Sequence, residues 1–154
     1  MIQVILGVVC LGATLIYFIL RQVHKKKVRT ETSNILNNSE PLSEPCKVQV
    51  YLQMEAHIQK WQYVLSLNND GMRCVNHGNT IEFFITHKKN SLVGFGRGYY
   101  GGYKNPAIDS PFIFDAVDGG NIKILCKPVW VDTSNSTWKS NFTILAPNVN
   151  FPQI

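Results

Sequence analysis

Nineteen consecutive residues near the start of this chain, Ile2 to Leu20, carry no charge, and the first thirty contain no aspartate or glutamate. A surface helix needs a charged face, so this absence excludes an ordinary amphipathic helix. The chain is also short. Its 154 residues exclude a two-domain enzyme with separate cofactor and substrate halves. It has no paired C-x-x-C, no phosphate-binding G-x-x-x-x-G-K-[ST] loop and no G-x-S-x-G nucleophile elbow. Those absences remove the common sequence warrants for zinc, nucleotide and acyl-transfer chemistry. Acidic residues are few, and none is marked as one of a catalytic pair. Asp109, Asp118 and Asp132 neighbour Ser, Gly or Thr, and Asp115 lies three residues before Asp118.

The apolar run is the strongest signal present. Ile2–Leu20 at the helical rise spans about 28 Å, close to the bilayer hydrocarbon core. Gln3 and Tyr17 sit near its two ends, where the interface can take them. A cleaved signal peptide fits poorly, because no basic residue precedes the run and no small-x-small site follows it. The expected anchor is residues 1–20.

Basic residues follow at once. Arg21, Lys25, Lys26, Lys27 and Arg29 account for the whole formal charge of +5, since residues 31–154 hold equal numbers of basic and acidic side chains. The body therefore has no net pull on phosphate, and nucleic acid is not an expected partner. The positive-inside rule puts this cluster, and the body after it, on the cytoplasmic side. Three N-glycosylation triplets, at Asn37, Asn135 and Asn141, argue for the opposite side. The side of the membrane stays open on these signals, with the cysteines tipping the reading outward.

Residues 21–45 read as a basic then polar linker without a stable element, ending at Pro41 and Pro45. Residues 46–154 are expected to form one mainly β domain, sandwich-like or α+β. Val48, Val50, Leu52 and Met54 alternate with polar neighbours, and so do Ile81, Phe83 and Ile85. Phe112–Val117 and Ile122–Leu125 flank Asp118-Gly119-Gly120-Asn121, a hairpin-like signal. Phe142–Leu145 gives a last short strand. Ile58, Trp61 and Leu65 recur at helical spacing, so Glu55–Leu67 is read as a short helix, with a strand over Trp61–Leu67 as the alternative.

Cys10 lies in the apolar run, whereas Cys46, Cys74 and Cys126 lie in the body. One disulfide and one spare thiol are expected. Cys74–Cys126 is the preferred pair, joining two strands across the core, with Cys46 left over; three free thiols is the alternative. Cys74 and His77 could join Cys46, Cys126 or His87 around zinc, but the spacing signal is poor. No metal and no cofactor are expected. Gly96-Arg97-Gly98-Tyr99-Tyr100-Gly101 matches G-x-G-x-x-G, yet Gly102, Pro106 and Pro111 deny it the helix a dinucleotide needs. Phe95, Tyr99, Tyr100 and Tyr103 between glycines suit a partner contact instead, as does Trp138 among Ser, Thr and Lys. A glycan-binding groove would use Trp138 or Tyr99 and Tyr100 with Asp115 or Asp118.

The anchor at Ile2–Leu20, the immediate basic cluster and the small single domain resemble envelope proteins of large DNA viruses that work in multi-protein infectivity complexes. The cluster Arg21, Lys25, Lys26, Lys27 and Arg29 looks like the inner-nuclear-membrane sorting signal of baculovirus occlusion-derived virion proteins. The size is similar to their 19 kDa per os infectivity factor family. The resemblance covers layout over about 30 residues, and only size and class beyond. It implies a non-catalytic virion-envelope subunit with membrane and protein partners and no small-molecule substrate. The rivals are an accessory subunit of an organellar or bacterial membrane complex, and a membrane-anchored glycan-binding module.

Overall fold

The computed structural model describes residues 15, 16, 19, 22, 23, 26, 27, 30–59, 62–97, 111–132 and 137–152. For Arg97, residues 130–132, Thr137 and Trp138 the backbone alone is described. Most of Ile2–Leu20 falls outside this set. Among the described residues no helix is long and apolar enough to cross a membrane.

The fold is mainly β, with two four-stranded sheets and one helix. Helix α1 is the unbroken described stretch 30–37, and the described residues before it, 15, 16, 19, 22, 23, 26 and 27, are helical as well. The strands are β1 (Pro41–Leu52), β2 (Gln62–Leu67), β3 (Arg73–Val75), β4 (Thr80–His87), β5 (Lys89–Arg97), β6 (Phe112–Asp115), β7 (Asn121–Asp132) and β8 (Thr137–Leu145). The first sheet has the order β4-β1-β7-β8 and the second β3-β2-β5-β6. Among the described strands only β1 and β7 run parallel; the other neighbours are antiparallel.

The core lies between the sheets. Val48, Val50 and Leu52 of β1, Phe83 and Ile85 of β4, and Ile124 and Cys126 of β7 face Tyr63, Leu65 and Leu67 of β2, Leu92 of β5 and Phe114 of β6. The alternation in β1 and β4 thus resolves as expected, with Phe84 on the outer side and 70% exposed. Gly94 lies opposite Leu65, where an added Cβ would come 2.6 Å from the Tyr63 ring. Its hydrogen makes the room that the fully buried ring fills. Phe112 and Phe142, 5.4 Å apart, join the sheets at the β6–β8 side.

Several expectations are corrected. The linker is not bare: α1 occupies residues 30–37, and β1 opens at Pro41 rather than at Cys46. The short helix over Glu55–Leu67 reduces to one 3-10 turn, Ala56–Ile58, followed by β2. Tyr63 to Leu67 are buried on both faces, so the strand shows no alternation. The hairpin at Asp118–Asn121 is instead a crossing, with β6 in the second sheet and β7 in the first.

Candidate interaction site

Helix α1 packs on the outer face of the second sheet, and residues 146–152 run along the first. On the second sheet α1 is fixed by a buried polar contact. Thr32, 1% exposed, shares a 3.1 Å hydrogen bond with the Ser91 hydroxyl of β5. Ser39 follows α1, and its Oγ accepts a hydrogen bond from the Lys89 backbone at 2.6 Å. The Glu40 carbonyl accepts from Lys88 N at 2.9 Å, and the Glu40 carboxylate pairs with Lys88 Nζ. That pair holds the Glu40 carboxyl below its ordinary value, through the hydrogen bond first and the charge second.

The strand receiving these contacts is itself braced. Asn68 and Asn69 take φ values of 53° and 60°, a left-handed turn that asparagine tolerates. Asn68 Oδ1 accepts from Ser91 N at 2.9 Å, and its Nδ2 donates to Asn90 Oδ1 at 2.8 Å. Asn90, fully buried, donates on to the His87 carbonyl at 2.7 Å.

Beside α1 lies an open groove of about 1130 Å³. One wall is the helical backbone carrying Val23, Lys26, Lys27, Glu31 and Ile35, and the other carries Lys89 of β5 and Ile113 of β6. Three lysines thus meet one glutamate, among apolar Val23, Ile35 and Ile113 and neutral polar Thr30, Asn34 and Asn38. The sequence reading marked Lys26 and Lys27 but missed Lys89 and Ile113, which arrive from strands more than fifty residues on. Arg21, Lys25 and Arg29 lie outside the described residues.

The proposed partner-contact residues are mostly outside the description too. Phe95 is half-buried on β5, paired with Val64. Tyr99, Tyr100 and Tyr103 lie outside the described residues, and Trp138 is described only as backbone paired with Trp130 in β8. Gly96 and Arg97 end β5, and the rest of that motif, Gly98 to Gly101, lies outside the described residues. Asn37 and Asn141 are exposed, on α1 and β8; Asn135 lies outside the described residues.

The disulfide expectation is corrected. Cys46, Cys74 and Cys126 are free thiols. Cys74 is exposed and points away from the core that its neighbour Val75 enters, whereas Cys126 faces inward from β7. The second sheet separates them. Cys126 sits in register with Leu52, six residues from Cys46, roughly 20 Å along the strand and beyond disulfide reach. Burial pushes the Cys126 thiol far up, against a weaker opposing hydrogen bond from Tyr63, so it is inert as a nucleophile. Burial also raises Cys46.

His77 Nδ1 accepts a hydrogen bond from Met54 N at 2.9 Å, a structural role that ties the β3–β4 turn to the end of β1. Among the described residues no group of three His, Cys, Asp or Glu side chains could hold a metal ion. Asp118 does not face a groove: its Oδ1 accepts from Ser43 N at 2.6 Å. Asp115 is exposed on β6. Searches for matching family models, characterised proteins and solved structures return none.

Proposed function

We propose that this chain is a single-pass, membrane-anchored envelope protein acting as a non-catalytic subunit of a viral oral-infectivity complex through protein–protein contacts. The observation that carries the reading is the locking of α1 onto β5 through Thr32 and Ser91. The apolar run and basic cluster lead straight into that helix. That lock leaves a shorter free connection between the sandwich and the expected anchor, which favours assembly with neighbouring membrane proteins over a search for distant ligands. Exposed apolar side chains such as Phe84, Val117 and Ile113 give partners somewhere to dock.

A second reading gains from the free cysteines. No intrachain bond links the described thiols, which suits an accessory subunit facing a reducing compartment. Extraction of the full chain from native membranes in mild detergent tests both. The viral reading expects a hetero-complex with other envelope proteins. Recovery of an unaccompanied, monodisperse protein overturns both readings, and co-purification with organellar or bacterial membrane proteins selects the second.

A further inference from the structure

The groove beside α1 carries basic side chains on both of its walls. We propose that it binds the headgroup of an anionic phospholipid, with lysines on both walls holding the phosphate. The proposal rests on the membrane-anchored reading above. Lys26, Lys27 and Lys89 outnumber Glu31 there. A lysine ammonium is a point charge that serves phosphate well without a fixed fork geometry. Val23 and Ile113 supply apolar wall beside the charge, as a molecule with a charged head and apolar acyl chains requires.

Position supports the same occupant. Lys26 and Lys27 follow Leu20 by six and seven residues, next to the end of the expected anchor. A lysine that close to the end of a span can turn its ammonium to the headgroup layer, which is about 5–8 Å thick on each side of the hydrocarbon core. A juxtamembrane basic cluster alone attracts anionic lipid diffusely. Here Lys89 comes from β5, so a headgroup held between the walls would clamp the sandwich to the bilayer surface as well as attract it.

The role of Lys89 gives the test. The purified full chain, delipidated in neutral detergent, is titrated with phosphatidylserine or phosphatidylcholine, and bound lipid is read by native mass spectrometry. Phosphatidylserine is expected to be retained preferentially. Lys89→Glu should weaken it at least about five-fold, the value of one lysine near an anionic surface. Lys89→Arg should retain binding, and Lys127→Glu, with the same charge change at an exposed site on β7, should leave it intact. Equal retention of the two lipids, equal effects of Lys89→Glu and Lys127→Glu, loss in Lys89→Arg, or displacement by inorganic phosphate overturns the proposal. Resistance of the same protein to alkaline extraction from vesicles reports the anchor separately. An embedded chain without lipid preference sinks the groove alone, whereas a chain extracted by alkali that still prefers phosphatidylserine sinks the anchor alone.

Discussion

Asp118 ties the turn before β7 to the first strand. Its Oδ1 accepts from the backbone of Ser43 at 2.6 Å and of Glu44 at 3.4 Å. Gly119 beside it has φ +60°, and a Cβ there would meet the Glu44 carboxylate at 2.7 Å. The Ser43 hydrogen bonds, side chain first, hold the Asp118 carboxyl below its ordinary value of 3.8. The folded state therefore binds the proton less readily than the unfolded chain. The stabilisation is full above the ordinary value and is lost as pH falls through the lowered folded value. Glu40, lowered by Lys88, acts in the same direction. Asp118→Asn should lower the urea midpoint at neutral pH, and the gap from the parent should close between about pH 5 and pH 2. A gap constant across that range would show that the carboxylate charge is not what holds the turn. At this scale the sequence marked Asp118 as a turn residue but could not tell that its partner strand lay 75 positions away.

Elements were legible where one face meets water and the other the core. The alternation translates into buried and exposed side chains in β4, and into buried and half-buried ones in β1 as far as Val50. It fails in β2, where both faces are covered and the helical spacing of Ile58 and Leu65 is accidental. It fails again at Asp118–Asn121, because turn residues specify a reversal and not the sheet that the next strand joins. Helix α1 was hidden because its main anchor is a threonine rather than an apolar stripe. The C-terminal residues show the same limit. Tyr51 points outward by alternation, yet it is 4% exposed. Phe151 stacks on it with ring centroids 5.2 Å apart, while Lys123 Nζ donates to the Val149 carbonyl at 3.0 Å. The segment after β8 thus straps the outer face of the first sheet. Phe151→Ala should cost about 1–3 kcal/mol from lost stacking and apolar contact. It should lower the denaturant midpoint without changing the slope, whereas Phe151→Leu should recover part of the loss. Parent-like midpoints in both variants would mean that the strap adds no stability.

Over the whole molecule, the thiols report on both the packing and the compartment. Cys46 and Cys126 are sealed between the sheets, and Cys74 stands exposed on the short edge strand β3. In an oxidising compartment an exposed odd thiol finds a partner chain, because no thiol of its own domain can reach it. In a reducing compartment it stays free. Alkylation of the folded protein in detergent should modify Cys74 quickly among the three domain cysteines, and Cys46 and Cys126 only after unfolding, with no reductant needed for either. Fast modification of Cys126 would contradict a closed sandwich, and two domain thiols blocked until reduction would contradict this strand arrangement. Membranes extracted under alkylating conditions carry the argument from fold to location. A Cys74 adduct to another protein that reduction releases puts the sandwich outside, where the sequons at Asn37 and Asn141 can also be used. A Cys74 thiol alkylated at once, on a chain without added sugar mass, puts it on the reducing side and favours the accessory-subunit reading.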